Sequence, residues 1–278
     1  MKTKKYFSDK VILITGAGSG IGKALSQEIS RFSPKKLILA DIDDDSLGKI
    51  QNSLSNHVKT DIYKVDVASE EQMKQLFEDI ITKNSRIDIV FNNAGITAGG
   101  EFYNYSFDLW SKLINVNLWG VIYGSSFAYK RMILQKSGHI VNVASLGGLI
   151  PEPMATAYST TKHAVVGLTL SLREEAHEYG VNVSVVCPGV INTPIFDKAI
   201  FVGNVDPGKV KSATLEHGAI SPVQCAEKIL KGMANNKGII LVKPFDKVFW
   251  RLYRLSPGIL SPLNKLIAKY FRENFNNG

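Results

Sequence analysis

The sequence predicts an α/β fold, in which helices cover both faces of a parallel β-sheet. Two observations predict it. Short apolar runs alternate with longer amphipathic stretches, which is typical of a parallel sheet. Several of the runs are apolar and β-branched almost throughout, as expected of strands that are buried on both faces. The predicted strands are VILIT (11–15), KLILA (36–40), IYKV (62–65), IDIVF (87–91), HIVNVA (139–144), VNVSVV (181–186) and GIILV (238–242).

The amphipathic stretches between these strands are predicted helices. They lie at about 20–32, 44–55, 69–84, 106–135, 157–179 and 222–236. In sheets of this kind, ligands bind at the carboxyl ends of the strands, where the strand order reverses. We therefore expect the chemistry of the protein in the turns that follow the strands.

A glycine-rich turn, TGAGSGIG (15–22), follows the first strand and leads into a helix. Glycines permit a tight turn and close approach to a diphosphate, and the helix N-terminus adds unpaired N–H groups and a partial positive charge. The spacing is Gly-x-x-x-Gly-x-Gly and differs from the commoner dinucleotide fingerprint. A turn without a ligand is the alternative interpretation. The predicted cofactor-binding residues of this turn are Gly16, Ser19, Gly20, Ile21 and Gly22.

An aspartate follows the second strand at position 41. This is close to the distance of ~20 residues at which an acidic residue binds the adenosine ribose hydroxyls. A carboxylate repels a 2′-phosphate, and no Arg or Lys stands beside Asp41 to neutralise one, because residues 42–45 are Ile-Asp-Asp-Asp. Asp41 therefore favours NAD over NADP, whereas the three aspartates after it are expected to form a solvated acidic turn.

A tyrosine and a lysine stand four residues apart in the segment YSTTK (158–162), within a predicted helix, and therefore share one helix face. A free phenol has a pKa of about 10, whereas a base for alcohol oxidation needs a pKa nearer the working pH. An ammonium at ~4 Å, in an effective dielectric of ~20, would contribute about 4 kcal/mol and lower the phenol pKa by about three units. Tyr158 and Lys162 are therefore candidate catalytic residues. A surface pair is the alternative.

Ser145 lies just past the fifth strand, at the predicted carboxyl edge of the sheet. A hydroxyl there is able to hold a substrate oxygen against Tyr158, and a turn-capping serine is the alternative.

Six motifs follow one another in a definite order. They are TGAGSGIG (15–22), NNAG (92–95), Asn117 in VNLWG, Ser145, YSTTK (158–162) and PGVINT (188–193). Together they resemble the short-chain dehydrogenase/reductase family over about residues 10–242. The resemblance implies a doubly wound, Rossmann-type sheet of seven parallel strands in the order 3-2-1-4-5-6-7, within a single catalytic domain of residues 1–242.

The resemblance also implies roles for individual residues. Tyr158 would be the general acid/base, and Ser145 would orient the substrate oxygen. Lys162 would bind the nicotinamide ribose and lower the pKa of Tyr158. Asn117 would hold a water that relays protons from Lys162 to solvent. The other cofactor-binding residues would be Asp66 and Val67 at the adenine, Asn93, Ala94 and Gly95 at the adenosine ribose and central sheet, and Pro188, Gly189, Ile191 and Thr193 at the carboxamide.

The composition limits the other classes of function. A chain with 45% apolar and 21% charged residues is typical of a globular protein. Two cysteines, the lack of a secretory signal and the lack of an apolar segment of ~18 residues predict a cytoplasmic protein. The five histidines are scattered without ligand spacing, so no metal site is expected. They are His57, His139, His163, His177 and His217.

The net charge of +8 comes from the two ends of the chain. Residues 1–10 carry +3 and residues 243–278 carry +5, so the domain between them is neutral and suggests no nucleic-acid groove. The extension 243–278 is basic and amphipathic. It is predicted either to contact an anionic membrane or to pack on the domain, line the substrate pocket or meet a partner subunit.

Substrate contacts are expected from the loops after the strands, at 97–105, 147–154 and 195–220. The last is a long connection of the kind that often forms a lid. Its apolar residues favour an apolar alcohol or ketone as substrate, although they are also suited to packing on the domain. A homodimer or homotetramer is expected through the helices at 106–135 and 157–179. The alternatives to an enzyme are a nucleotide-binding scaffold or redox sensor without turnover, and a membrane-surface interaction protein acting through the tail.

Overall fold

A computed structural model describes residues 2–54, 58–216 and 218–275. Two of the five histidines, His57 and His217, lie outside these ranges.

Seven strands form one parallel sheet, which confirms the predicted fold class. The strands of the chain are β1 (Val11–Thr15), β2 (Lys36–Asp41), β3 (Thr60–Lys64), β4 (Ile89–Asn92), β5 (Ala98–Gly99), β6 (Gly138–Val143), β7 (Val181–Cys187), β8 (Ile200–Phe201) and β9 (Ile239–Leu241). The sheet has the order β3-β2-β1-β4-β6-β7-β9. With its seven strands counted alone, this is the predicted order 3-2-1-4-5-6-7. The strand order reverses between β1 and β4, where a ligand is expected.

Eleven α-helices lie in the described ranges. They are α1 (Lys2–Phe7), α2 (Gly20–Ser30), α3 (Asp44–Ser53), α4 (Glu70–Asn84), α5 (Phe107–Ile114), α6 (Gly120–Gln135), α7 (Thr156–Ala176), α8 (Pro207–Glu216), α9 (Pro222–Ala234), α10 (Pro244–Leu255) and α11 (Ser261–Phe275).

The core lies on both faces of the sheet because successive residues of a strand point to opposite sides. Ile12 and Ile14 pack with residues of α2, α3 and α9, whereas Val11 and Leu13 pack with residues of α4 and α6. All four of these β1 side chains are fully buried, as the apolar run predicts.

Two helical regions differ from their predictions. The helix predicted at 106–135 is α5 and α6 joined by a π-helical turn at Asn115–Trp119. A single π turn adds one residue to the helix without ending it, so the apolar period on either side does not reveal it. Helix α1 was not predicted. It is anchored by the fully buried Phe7 and by a 2.6 Å hydrogen bond between the Tyr6 hydroxyl and Nδ1 of His139.

The predicted lid, residues 195–220, contains β8 and α8. Its two ends lie side by side, because Ile191 and Ile220 form a parallel bridge and the Asn192 N–H donates to the Ile220 carbonyl at 3.0 Å. Strand β8 pairs with β5, which ties the lid to the loop after β4.

The C-terminal extension forms α10 and α11. Phe271 and Phe275 of α11 are buried in a cluster with Met154 and with Val205 and Val210 of the lid. Part of the tail therefore packs on the catalytic domain, one of the alternatives that the sequence left open. Across the described ranges, no helix is long and apolar enough to cross a bilayer.

Candidate active site

The turn after β1 forms a cradle that admits no extra side-chain atoms at two of its glycines. Gly16 has φ +64°, and a Cβ there would lie 2.7 Å from the Cα of Ala94. A Cβ on Gly22 would lie 2.1 Å from the Gly16 carbonyl oxygen. Ser19 is the N-cap of α2, yet its side chain makes no capping hydrogen bond. Its hydroxyl and the N–H groups of the first helical turn are therefore placed to bind an anion.

Asp41 stands at the end of β2, beside this cradle. Its Oδ2 accepts a hydrogen bond from the Gly18 N–H at 2.7 Å, and its Oδ1 accepts one from the Asp43 N–H at 3.1 Å. Each carboxylate oxygen has a second lone pair. The half-buried carboxylate is thus oriented by the backbone and retains acceptors for ribose hydroxyls. Asp43, expected in a solvated turn, is instead the N-cap of α3 and accepts from the Ser46 N–H at 3.1 Å.

Thr15, which the motifs did not single out, joins β1 to the loop after β4. Its hydroxyl accepts from the Asn93 and Ala94 N–H groups at 3.0 and 3.2 Å. The Asn93 side-chain amide donates to the carbonyls of Thr15 and Gly16 at 2.9 and 3.1 Å. The NNAG segment is therefore bound directly to the glycine turn.

Lys162 is buried near the start of α7. Its Nζ donates to the Val143 carbonyl at 3.0 Å and lies 5.6 Å from the centroid of the Tyr158 ring. An ammonium group has three donors, and none of the ion pairs among the described residues involves this one. Burial lowers the pKa of Lys162 to about 8. A buried ammonium with spare donors is suited to binding the hydroxyls of a ligand.

The expected lowering of the Tyr158 pKa is not found in the free protein. Burial raises that pKa above its ordinary value, and the negative charge of Glu152 raises it further, whereas a hydrogen bond from Ser145 opposes the rise. The positive charge of Lys162 does not offset this rise in the Tyr158 pKa. The estimate from sequence placed the ammonium at ~4 Å in a medium of dielectric ~20 and left out the cost of burying a phenolate. Without a ligand, the phenol is neutral.

Ser145 caps a turn, which was the alternative interpretation, and its role toward a substrate oxygen stays a prediction. It is the N-cap of the 3₁₀ turn Leu146–Gly148, and its Oγ accepts from the Gly147 N–H at 3.2 Å. It also lies close enough to the Tyr158 phenol to lower the pKa of that group. The turn therefore fixes the hydroxyl beside the phenol at the carboxyl end of β6.

Asn117 lies fully buried on the π turn. Its Oδ1 accepts from the Ile96 N–H at 2.8 Å, and its Nδ2 donates to the Ile96 carbonyl and to the Thr161 hydroxyl at 2.9 and 3.2 Å. A Cβ on Gly95 would lie 3.2 Å from Asn117 Oδ1 and 3.4 Å from Lys162 Nζ, so both side chains border Gly95. The side-chain amide thus fixes the loop after β4, and its role in a proton relay stays a prediction.

The remaining predicted cofactor residues follow β3 and β7. Asp66 Oδ1 accepts from the Ala68 N–H at 2.9 Å, and Val67 is buried next to it. The Pro188 carbonyl accepts from the Leu146 N–H at 2.7 Å. Thr193 approaches the glycine turn so closely that a Cβ on Gly20 would lie 3.2 Å from its own Cβ. The loop after β7 therefore meets the cradle.

Two carboxyl groups near the site were missed from the sequence. Asp246, at the start of α10, is buried and accepts hydrogen bonds from the backbones of Lys243 and Gly189. Glu152 lies against Gly147. The signal for Asp246 is a Lys-Pro-x-Asp helix start, and the signal for Glu152 is a single acidic residue between two prolines in an otherwise apolar segment.

The three predicted substrate segments come together above the carboxyl edge of the sheet. The Gly100 N–H donates to the Met154 carbonyl at 2.7 Å, which joins the first segment to the second. The β5–β8 pair joins the first segment to the lid. Arg272 of α11 forms an ion pair with Glu101 and so adds the tail to this group.

These residues fit a nicotinamide dinucleotide. The glycine cradle, which a Cβ would fill, and the helix N-terminus behind Ser19 offer groups that suit phosphate. The oriented carboxylate of Asp41 and the buried ammonium of Lys162 offer groups that suit ribose hydroxyls. They lie on the side of the sheet where the strand order reverses.

Comparison with known proteins agrees with this geometry. The family described as short chain dehydrogenase matches residues 10–201. A Mycobacterium tuberculosis protein that carries the name oxidoreductase SadH is 35% identical over 242 residues, which cover 85% of this chain and 87% of that protein. The crystal structure of a short chain dehydrogenase/reductase from Burkholderia phymatum in complex with NAD is 28% identical with a TM-score of 0.84, over 91% of this chain and 96% of that one. The structure of levodione reductase is 26% identical with a TM-score of 0.77, over 85% and 97% of the two chains.

Proposed function

This chain belongs to the short-chain dehydrogenase/reductase family of nicotinamide-dependent oxidoreductases, and from that premise we propose that it interconverts an alcohol and a ketone with NAD, using Tyr158 as the proton carrier. The observation that carries the proposal is the joint position of Tyr158, Ser145 and the buried Lys162 at the carboxyl end of β6.

The chain's own residues handle the proton. When bound, the dinucleotide supplies or accepts the hydride. The Ser145 hydroxyl holds the substrate oxygen next to the Tyr158 phenol. In ketone reduction the Tyr158 phenol gives its proton to that oxygen, and in alcohol oxidation the phenolate, formed beforehand by loss of that proton, takes the proton of the alcohol. Because burial keeps the phenol neutral in the free protein, the acid form needed for reduction is already present.

NAD rather than NADP is the cofactor that the phosphate-repelling carboxylate of Asp41 favours. Asn93, Ala94 and Gly95 would support the adenosine end, together with Asp66 and Val67. Pro188, Gly189, Ile191 and Thr193 would support the nicotinamide end.

The substrate that the lid favours has an apolar body. Ile200 and Val202 of the lid pack in a cluster with Ala98, Leu109 and other apolar side chains. Part of the lid's apolar surface is thereby used in packing on the domain, which was the second interpretation of its composition. The apolar surface of the three substrate segments that is not used in this packing supports an apolar alcohol or ketone as the substrate.

A homodimer or homotetramer through α5–α7 is supported by apolar residues that these helices expose. Phe107 is 88% exposed, and Trp119 is 44% exposed and stacks on Tyr123. Two other large aromatic residues of these helices, Trp110 and Phe127, are partly buried against core clusters within the chain. A cytoplasmic location, expected from the two cysteines, stays part of the proposal.

Contact with an anionic membrane surface is the second proposed role, and it concerns the tail. Helices α10 and α11 each keep an apolar face exposed, which includes Phe245, Leu255 and Leu266 at 66%, 79% and 62%. A groove of about 510 Å³ beside β9 and α10 is lined by six basic side chains. They are Lys228, Lys231, Lys237, Lys243, Lys247 and Arg251. Exposed apolar and basic groups side by side favour an anionic lipid surface.

Replacement of Tyr158 tests the enzymatic proposal. Tyr158→Phe removes the phenolic proton and keeps the ring, so we expect turnover of secondary alcohols to fall by about a thousandfold or more. The affinity for NADH, measured by fluorescence titration, should change by less than about threefold, because Lys162 and the glycine cradle remain. Tyr179→Phe, at an exposed tyrosine outside the substrate segments, serves as the matched control and should keep full activity.

Two outcomes would contradict this proposal. Undiminished turnover in Tyr158→Phe would exclude the phenol as the proton carrier. Wild-type protein that binds NADH but turns over no alcohol or ketone in a broad absorbance screen would favour a nucleotide-binding scaffold or redox sensor.

A further inference from the structure

A carboxyl group that the proposed reaction does not use lies in the substrate region. Glu152 is in the loop between the 3₁₀ turn Leu146–Gly148 and α7. A Cβ on Gly147 would lie 1.8 Å from Glu152 Oε2. The carboxyl therefore rests directly on the backbone of Gly147, whose N–H donates to the Ser145 hydroxyl. It borders the pair that would hold the reacting oxygen.

The Glu152 carboxyl is unpaired within the part of the chain that the structure describes. Among the described residues, no hydrogen bond or ion pair to the Glu152 side chain is found. Its neighbours Pro151 and Pro153 have no backbone N–H to offer. Solvent reaches the side chain, yet enough protein surrounds the carboxyl that burial raises its pKa to about 7. These two facts agree when the group lines the wall of an open cleft.

A second polar group without a partner lies close to it. The Tyr105 hydroxyl is buried and makes no hydrogen bond with any described residue. Burial, together with the smaller effect of the Glu152 charge, raises the pKa of Tyr105 to about 12. The same charge acts on Tyr158. Glu152 therefore lies within electrostatic reach of both phenols. Buried polar groups are nearly always paired, so the unpaired Tyr105 hydroxyl, next to a carboxyl group that solvent reaches, indicates a ligand.

We propose that Glu152, with Tyr105, binds a second polar group of the substrate, namely a hydroxyl or an ammonium close to the reacting carbon. In its ionised form the Glu152 carboxylate only accepts hydrogen bonds, so the substrate group that we propose for it is a donor. Tyr105 is able to donate to, or accept from, the same group. The inference rests on the proposed function and narrows its substrate class to alcohols or ketones with an apolar body and a neighbouring donor.

Three matched compounds test the inference. 2-Octanol carries the reacting hydroxyl alone, 1,2-octanediol adds a hydroxyl, and 1-amino-2-octanol adds an ammonium. We expect the wild-type kcat/KM, measured from NADH absorbance, to be at least about tenfold higher for a compound with the second donor than for 2-octanol. Glu152→Leu should abolish this preference, because kcat/KM for the compounds with a second donor should fall to the value for 2-octanol.

A second variant separates the two kinds of donor. The Glu152→Gln side chain keeps a carbonyl acceptor and loses the charge. If the natural group is an ammonium, the variant should lose about tenfold or more on the amino alcohol. If the group is a hydroxyl, the preference for the diol should largely remain. Glu174→Leu, which removes an exposed carboxylate from α7, is the matched control and should preserve the wild-type preference.

A binding arm keeps this inference separate from the proposed reaction. With NADH present, the amino alcohol or the diol should raise the melting temperature of the wild type but not that of Glu152→Leu. If this difference is seen without turnover, the donor site stands and the proposed reaction fails. If turnover occurs and Glu152→Leu has the wild-type preference, or loses all three substrates equally, the donor site is overturned. Loss of both turnover and differential binding overturns both.

Discussion

Asp41 illustrates how the backbone sets the electrostatics of a single side chain. The Gly18 and Asp43 N–H groups hold its two oxygens at 2.7 and 3.1 Å. The carboxylate is therefore fixed in place before any ligand arrives, and its charge is presented to the region beside the phosphate cradle.

Removing that charge should change the choice of cofactor. Asp41→Asn keeps an acceptor for the Gly18 N–H, so the turn is retained while the repulsion of a 2′-phosphate is lost. We expect the ratio of kcat/KM for NAD to that for NADP to fall by about tenfold or more. Asp45→Asn, on the exposed side of the same acidic run, should leave the ratio unchanged. An unaltered ratio in Asp41→Asn would show that cofactor choice lies elsewhere.

Positions near the carboxyl ends of strands were the easiest to predict. Asp41 ends β2, and Ser19 and Ser145 lie a few residues after β1 and β6, so the fold itself brings them to one edge of the sheet. Asp246 and Glu152 were missed because the backbones they contact, at Gly189 and Gly147, are reached only through the packing of the tail and of a loop. The direction of the Tyr158 pKa was also missed, because it depends on burial, which spacing does not encode.

At the scale of elements, α11 supports the lid. Phe271 and Phe275 pack on Val205 and Val210, and the Asp206 N–H donates to the Phe275 carbonyl at 2.9 Å. Helix α8 has no fully buried residue of its own. Its position therefore depends on the helix behind it, which explains why the lid's sequence carries only a weak helical pattern.

Truncating Phe271 should loosen the lid without disturbing the cofactor site. Phe271→Ala removes a buried ring from this cluster, which costs about 3–5 kcal/mol in a protein core. We expect faster amide hydrogen exchange in residues 205–216 and a several-fold higher KM for substrate, with the NADH affinity unchanged. Phe245→Ala, at a side chain that is 66% exposed, should change neither quantity. Wild-type exchange rates in Phe271→Ala would contradict the supporting role.

Two helical elements, the π turn and α1, could not be predicted from the period of apolar residues. The π turn at Asn115–Trp119 lies within a pattern that reads as one helix, and it places Asn117 inside the core. Helix α1 is too short for its period to stand out, and its anchor is the long-range contact of Tyr6 with His139. Such elements are fixed by tertiary contacts rather than by local sequence.

For the molecule as a whole, sequence and structure agree that positive charge is concentrated in the C-terminal tail. The tail carries the net charge of +5 that its sequence indicates, and the structure adds a basic groove and two exposed apolar helix faces to it. The order of the sheet was also predicted, as an implication of the resemblance to the short-chain dehydrogenase/reductase family, and the structure confirms it.

Vesicle binding should depend on this surface. Deleting the tail would also remove the contact of Asp246 with Gly189 and the packing of α11 on the lid. Reversing surface charges therefore tests the membrane proposal more specifically than deletion does. Lys247→Glu with Lys265→Glu should weaken sedimentation with phosphatidylserine vesicles by about tenfold or more. Binding of the wild type should weaken as the salt concentration rises.

A matched pair of charge reversals on another face controls for the loss of positive charge itself. Lys49→Glu with Lys74→Glu, on α3 and α4, should sediment with vesicles as the wild type does. If both double variants lose vesicle binding equally, the net charge of the protein explains the effect and the tail surface does not. If the wild type does not sediment with the vesicles, the membrane proposal is wrong.

The bridge between Ile191 and Ile220 has a consequence for how this protein can diverge. The chain leaves the body of the enzyme and returns to it at adjacent points, so the intervening segment is an insert with a closed base. Each doubling of such an insert adds only about 0.6 kcal/mol of closure entropy. Descendants of this gene are therefore free to exchange the insert for one of another length and composition, and so acquire new substrates, while the dinucleotide half of the molecule is inherited intact.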